Sequence, residues 1–396
     1  MCIIDNKKSG LACALWGIKF MKRYVIVGNG VAGVEAAKVI RENDDEASIT
    51  IISKERDLFY YRPRLIDYIA GKVGFEQIIV YHEKWYTDRN IKCVLGVEVI
   101  DILADEKKVV LDNGDELEYT KLLLANGSDP FILPVEGINK DGVFTIKDRT
   151  DVDNIKEYCK DKKKVIVVGG GLLGIETANS LMEQGLDVTV VEYADRLLPR
   201  QVDNDGSKVL EKMLKEKGFK FMLGESTKEI IGDGKVEKIS MNSGKVLDVE
   251  VVIFSVGVRP RRDLADKVGL NFNKGVVVNE YMQTSDGVVY AAGDVAEHDG
   301  ICYGLWAPAK EQGAIAGKNM ATGNSEVYAG SKMEARLKVV GISLLSAGKI
   351  QGDGLVEKAE ENDGAYVKTF EDNGDIVGAI VIGDAKEVNR LAKVIK

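Results

Sequence analysis

Two stretches decide the fold: YVIVGNGVAGVEAAKVIRENDDEASITIIS, from Tyr24 to Ser53, and VIVVGGGLLGIETANSLMEQGLDVTVVE, from Val165 to Glu192. Each runs from a β-branched strand through a glycine-rich turn and an amphipathic helical pattern into a second β-branched strand. Two parallel strands need a long crossover between them, so each stretch reads as a βαβ unit. Gly28, Gly30 and Gly33 follow the first strand at G-x-G-x-x-G spacing; Gly169, Gly171 and Gly174 repeat it, with Gly170 added. The first glycine of each set permits a tight turn, and the second lets backbone approach a pyrophosphate. The third lets helix pack on strand, which leaves the helix N-terminal N–H groups facing the anion. One such unit holds one dinucleotide, and two copies predict two.

The repetition extends outward from the glycine loops. KVVLDNGDELEYTKLLLANGSDP, Lys108 to Pro130, and SGKVLDVEVVIFSVGVRP, Ser243 to Pro260, are both a hairpin followed by a buried strand, a Gly turn and a proline. The chain therefore carries two copies of one nucleotide-binding design. The fold class expected is α/β, with two Rossmann-like three-layer dinucleotide-binding domains. In the second copy the strand ends at Glu192, whose carboxylate can accept from both ribose hydroxyls and repels a 2′-phosphate, favouring NADH over NADPH. As plain structure, Glu192 would be a solvated strand-end charge. In the first copy the same place is Ser53, with Glu55 two residues on, and either can reach a ribose.

Composition limits what else the chain can be. Its 396 residues suggest two or three domains. A net charge of −9 gives no electrostatic reason to bind nucleic acid. Five scattered cysteines (Cys2, Cys13, Cys93, Cys159, Cys302) form no C-x-x-C, and His82 and His298 are the only imidazoles. No disulfide framework, zinc site or iron–sulfur site is expected, and a reducing, cytoplasmic setting fits. The apolar run LACALWGIKF, Leu11 to Phe20, contains Lys19 and is shorter than the roughly 20 apolar residues a membrane span needs. Residues 1–21 are read as an N-terminal extension, with the fold beginning at about Met21 and no membrane association.

A later signature, TSDGVVYAAGDVAE from Thr284, ends a strand on Ala-Gly-Asp and brings in Gly293 and Asp294. With Gly28–Gly33, Leu124–Gly127 (LANG), Gly169–Glu176 and Gly257–Pro260, it resembles the pyridine nucleotide flavoprotein oxidoreductases, whose fold is glutathione-reductase-like. These motifs span residues 24 to 322. The resemblance implies FAD on the first glycine loop and NADH on the second. It implies an FAD domain from two pieces, 22–126 and 249–322, an NAD domain over 127–248, and a small α+β C-terminal domain over 323–396. It also implies that Asn126, Gly127, Gly257, Gly293 and Asp294 line the cofactors, with Asp294 on the ribityl chain and Glu176 near the nicotinamide. As structure alone, Glu176 is a first-turn acid favoured by the helix dipole.

The disulfide-reducing members carry cysteines just after the first βαβ unit. Here that segment is DLFYYRPRL, Asp57 to Leu65, without sulfur. It resembles the branch containing rubredoxin reductases, ferredoxin reductases and the flavoprotein part of nitrite reductases. In that branch Arg62 and Pro63 would approach the flavin edge, where a cation stabilises negative charge. Trp306 and Pro308, in GLWAPAKEQGAIAGKNM, would lie near the flavin pyrimidine. The expectation is an NADH-dependent flavoprotein reductase passing electrons to a small one-electron carrier, rubredoxin favoured, with a monomeric state favoured. Alternatives are an NADH oxidase or ferredoxin reductase, and a redox sensor that binds FAD and NADH with little turnover. Arg259, Arg261 and Arg262, and Lys386, Arg390, Lys393 and Lys396, are candidate docking cations for an acidic carrier. Strands are expected over Leu337–Gly348, Ala365–Phe370 and Asp375–Asp384, with a turn at Asn373-Gly374 and a terminal helix over Ala385–Ile395.

Overall fold

In the computed structural model the described residues are 21–362 and 364–395. The expected N-terminal extension, apart from Met21, and Lys396 lie outside them. The first βαβ unit grows into a five-stranded parallel sheet. Its order is Ile91–Leu95, Ser48–Ser53, Arg23–Val27, Lys121–Leu124 and Val289–Ala291. Tyr24 to Val27 are all buried, in one core with Val34, Ala37 and Ile40 of helix Val31–Asn43 and with Val99, Ile102, Val109 and Leu111; a parallel sheet covered on both faces reads as continuous apolar runs. The register Val27↔Ile52 and Val27↔Leu124 aligns the strand ends, so that Gly28, Ser53 and Ala125 emerge along one edge.

The second unit repeats the plan: Lys220–Leu223, Asp187–Glu192, Lys164–Val168, Val251–Phe254 and Val143–Thr145, again all parallel. Each copy also carries an antiparallel meander. One is Val99–Leu103, Lys108–Leu111 and Glu116–Glu118; the other is Thr227–Ile231, Lys238–Met241 and Val246–Asp248.

The boundary expected at 248/249 is corrected by this sheet. Val251–Phe254, buried at every position, pairs with both Lys164–Val168 and Val143–Thr145 inside the second domain. It is the counterpart of Lys121–Leu124, so the chain leaves only after it. The crossing is a ribbon in which Val258–Pro260 pairs antiparallel with Ser128–Pro130, Arg259 opposite Asp129. At its base the Arg261 N–H donates to the Gly127 carbonyl at 2.9 Å.

The C-terminal unit is an antiparallel sheet ordered Glu334–Val339, Ile342–Gly348, Asp375–Ile382, Ala365–Asp372 and Val356–Asn362, followed by helix Ala385–Val394. Asn373 and Gly374 both take positive φ, 51° and 85°, as a two-residue hairpin requires. The stretch Leu337–Gly348 belongs to two strands, because Val340 and Gly341 make a second such turn at φ 45° and 82°. Val356–Asn362 (VEKAEEN) gives no apolar alternation in sequence; among the described residues it is an edge strand paired with Ala365–Asp372, and charge is a usual feature of edges.

Period-two alternation gives this sheet two apolar faces. Leu345, Ala379 and Val381 meet Val388 and Leu391 of the helix. Leu344, Tyr366, Phe370, Ile380 and Ile382 join Leu210 and Leu214 of the second domain in one core. Asp203 pins this contact. It caps helix Asn204–Glu216 through the Gly206 N–H (2.9 Å) and accepts from the Tyr366 hydroxyl and Lys368 ammonium, each at 2.8 Å.

Candidate active site

The two glycine loops are built alike. Gly28 takes φ 117° and a Cβ there would sit 2.1 Å from the Ala125 carbonyl oxygen; Gly169 takes φ 119° with Ser255 O at 2.2 Å. The third glycines are closed as tightly, since a Cβ on Gly33 or Gly174 would meet the carbonyl oxygen of Gly28 or Gly169 at 2.0 and 1.9 Å. Gly30 and Gly171, by contrast, have no heavy atom within 4 Å of a built Cβ. Strand and helix are locked together while the N-terminal end of each helix faces open space of the kind a pyrophosphate needs.

Helix Trp306–Thr322 packs across Val31–Asn43 at close range, because Gly313 and Gly317 lie where a Cβ would strike the Ala32 and Ala36 carbonyls at 2.2 and 2.5 Å. Gly293, at φ 82°, sits over Ala32. The crossing brings Trp306, Asp294 and the first glycine loop into one cleft. Asp294 accepts from the Ser128 hydroxyl at 2.9 Å. Burial raises its pKa, against the opposing pull of Ser128, Arg62 and Lys147. Asn126 donates to the Arg261 carbonyl at 2.8 Å, while its own Oδ1 is buried with no partner among the described residues. An orphaned acceptor, open glycines and a cleft-facing carboxylate together suit a hydroxyl-rich dinucleotide.

Arg62 reaches this cleft but is not a free cation. It donates to Glu55 Oε1 at 2.6 Å and to the Lys147 carbonyl, and lies 5.0 Å over the Tyr60 ring. Glu55 Oε2 takes the Tyr60 hydroxyl at 2.7 Å. Both Glu55 oxygens are thus engaged in fixing the Tyr60–Arg62 turn, so of the two ribose candidates the strand-end Ser53 is the one left unengaged by a side chain among the described residues. Pro63 sits at the start of the short turn Arg62–Arg64 and removes a donor there. Trp306 stacks on Phe59 (5.7 Å, 17°) and meets Tyr61 edge-on (4.7 Å, 81°), making an aromatic wall.

In the second cradle, Glu192 accepts from the N–H groups of Gly170 and Ala194, the latter at 2.8 Å. The carboxylate is held at the strand end with lone pairs to spare. Arg196 turns to Asp195 and to the Pro199 carbonyl. Gly257 takes φ 99° at the ribbon, with open space around it. Glu176, half-buried on helix Leu172–Glu183, has its pKa pushed up to about 7 by burial and by Asp67.

Three functional contacts were not legible in sequence. Lys147 ion-pairs with Asp129, and its charge is felt by Asp294. Arg149 bridges to Asp57 at 2.8 Å, and Asn29 reaches the Asp57 carbonyl and the Tyr86 hydroxyl. The Arg149–Asp57 pair joins residues 92 positions apart with no motif to announce it. The proposed arginine docking patch is largely spent on structure. Arg261 pairs with Glu98 (2.6 Å) and Asp129 (3.2 Å), while Arg259 and Arg262 lie over Phe131 and Phe272.

Two dinucleotide cradles, one at a flavin-type cleft and one at an acidic strand end, define an oxidoreductase of the pyridine nucleotide flavoprotein class. The chain belongs to that family: residues 22–316 match the pyridine nucleotide-disulphide oxidoreductases, and 334–396 match the rubredoxin NAD+ reductase C-terminal domain. It is 37% identical over 379 residues to a nitrite reductase [NAD(P)H] of Bacillus subtilis, covering 95% of this chain and 47% of that protein. It is 33% identical over 375 residues to the NADH-rubredoxin oxidoreductase of Clostridium acetobutylicum, covering 94% of each. The structure of an NADH:rubredoxin oxidoreductase from that organism aligns with TM-score 0.78 and 30% identity over 95% of both chains. The chain spans about half the length of the nitrite reductase relatives it matches. FAD and NADH are the cofactors of this family, and the two cradles fit them. No helix among the described residues is long and apolar enough to cross a membrane.

Proposed function

We propose that the chain takes electrons from NADH through FAD and passes them singly to a small iron-containing carrier protein, rubredoxin first among candidates. When bound, FAD accepts a hydride and releases electrons one at a time. The protein's part is to bind and orient. The N–H groups at Gly30–Val31 and Ser53 would hold FAD, with Asn126 and Asp294 along its polar chain and Trp306 beside its ring. The second loop and Glu192 would hold NADH, and Glu176 would stand by the nicotinamide. Phe59, Tyr61 and Trp306 exclude water, and Arg62 with Lys147 places positive charge beside the cleft, tempered by Glu55 and Asp129.

The observation that carries this reading is the wall Asp57–Leu65. It is sulfur-free, so this segment supplies no thiol relay. The test is anaerobic stopped-flow of the yellow protein with NADH, then with rubredoxin. Fast bleaching and fast recolouring are expected; bleaching without recolouring would remove rubredoxin as acceptor. A second reading has its own support in the 37% identity to about half of a nitrite reductase. On that reading the chain is an electron-input unit for a larger reductase, and it would recolour only with that partner.

A further inference from the structure

Helix Arg149–Tyr158, which follows the second-sheet strand Val143–Thr145, lies against the segment Asp57–Phe75 of the first domain. At this seam Leu65 and Ile69 share one buried cluster with Val152, Ile155, Ile175 and Ala178. Such packing holds two surfaces together but is non-directional. The short ribbon of Ser128–Pro130 and Val258–Pro260 does not by itself set the angle between the domains. Directional contacts set it. The Arg149 guanidinium donates to Asp57 at 2.8 Å and to Asp153 at 3.2 Å, and its central carbon lies 4.3 Å from the Phe75 ring centre. Tyr68 donates to the other Asp153 oxygen, and Lys156 donates to the Tyr68 carbonyl at 3.1 Å. Two residues before Arg149, the Lys147 carbonyl accepts from Arg62. Asp57 and Arg62 thus bracket the aromatic wall of Phe59 and Tyr61 and grasp the chain on either side of Asp148, the helix cap. Behind the wall, the Asp57 carbonyl accepts from Asn29 of the first glycine loop at 3.4 Å, and Asn29 Oδ1 takes the Tyr86 hydroxyl at 3.1 Å. Asp57 therefore joins the first glycine loop by its backbone and the second domain by its side chain.

We propose that Arg149 is a positioning residue whose hold on Asp57 sets the second domain in register with the aromatic wall, so that the rate of hydride transfer, and not the affinity for nucleotide, depends on it. A planar guanidinium with carboxylates at its edge and a ring on its face fixes direction as well as distance. Hydride transfer is steeply sensitive to the placement of the reacting groups, so a small rotation of one domain costs rate while both cradles stay intact. The pair is partly exposed and contributes little to stability, which separates positioning from folding. The inference rests on the reading that FAD lies beside the wall and NADH on the second glycine loop.

The experiment is anaerobic stopped-flow of the FAD-loaded protein with NADH, and with NADH deuterated at the transferred position. The wild type is compared with Arg149→Met, Arg149→Lys, Asp57→Ala and the double variant Asp57→Ala/Arg149→Met. Asp57→Ala keeps the carbonyl that Asn29 holds, and it supplies the same test should Arg149→Met fail to retain flavin. The limiting bleaching rate of Arg149→Met is expected to fall roughly tenfold. Its half-saturating NADH concentration and flavin absorbance should stay unchanged, with a deuterium effect at least as large as in the wild type. Asp57→Ala should lose most of the same factor, the double variant should be no slower than Arg149→Met, and Arg149→Lys should recover part of the rate. A limiting rate within about twofold of the wild type in Arg149→Met, a slowed rate without a deuterium effect, or single losses that multiply in the double variant would each overturn the role of Arg149. Wild-type protein that NADH fails to bleach would overturn the reading of the two cradles, and this inference with it.

Discussion

The two nucleotide domains share a plan but complete it from opposite directions. Both sheets put the fourth strand beside the first, Lys121–Leu124 in one and Val251–Phe254 in the other. The fifth strand comes from downstream in the first sheet, Val289–Ala291, and from upstream in the second, Val143–Thr145. The first copy is therefore closed by chain that has already visited the second, and Asp294 arrives beside the first glycine loop with it. The second copy closes on residues that enter through the ribbon, which bring Lys147 and Arg149 to the seam. Duplicated folds become different sites through what closes them, more than through the glycine loops.

The largest effect should come from the loops themselves, where the copies are most alike. Gly28→Ala and Gly169→Ala each force a Cβ into a backbone carbonyl at positive φ, at a cost of about 3 kcal/mol or more. Gly28→Ala should abolish the yellow colour, whereas Gly169→Ala should keep flavin and lose bleaching by NADH. Absorbance with thermal melts checks both, and a colourless Gly169→Ala would collapse the distinction between the cradles.

Next comes the ribose contact. Glu192→Ala should weaken NADH roughly tenfold to a hundredfold and NADPH much less, because a charge-assisted pair is lost. Ser53→Ala should loosen FAD only about fivefold. Equal losses for NADH and NADPH would take Glu192 out of the specificity argument.

The C-terminal sheet is tied to the second copy through Asp203. Burial opposes ionisation there, but Lys368, the Gly206 N–H and Tyr366 outweigh it and hold the Asp203 carboxyl below its ordinary value. Since the folded pKa is depressed, the stabilisation is complete above the unfolded value, about 4. It is lost as pH falls through the lower, folded value. Asp203→Asn should cost about 1 kcal/mol at pH 7, after allowance for solvent screening, and should flatten stability between pH 5 and 2. Urea unfolding at several pH values measures this.

The smallest effect is expected at Arg62. With Glu55 already balancing its charge, Arg62→Ala should slow flavin reduction or reoxidation only about threefold. A much larger loss would mean that the Glu55 pair opens when nucleotide binds.

What the sequence disclosed follows from locality. Glycine spacing, β-branched strands and strand-end Glu192 are features of short segments, so both cradles and the internal repeat could be read directly. The domain boundary was misplaced although the repeat contained the answer. Val251–Phe254 repeats Lys121–Leu124, yet which sheet a buried strand joins is decided by pairing partners that periodicity does not name. Glu55 illustrates the same limit at the level of a side chain. Its proximity to the strand end suggested a ribose contact, but the turn bringing Tyr60 and Arg62 back onto it claims both oxygens. Arg149 was invisible because its partner Asp57 lies 92 positions away.

The ribbon of Ser128–Pro130 and Val258–Pro260 bears on how such a molecule can arise and be re-engineered. Its two strands run side by side, and Gly127 and Arg261 are already hydrogen-bonded where the flavin domain gives up the chain and takes it back. Cutting out everything between them would leave two ends within one peptide's reach, so the host fold has little loop to close. A gene copy dropped into such a gap perturbs its host least, and the second nucleotide-binding domain can be treated as an exchangeable cassette.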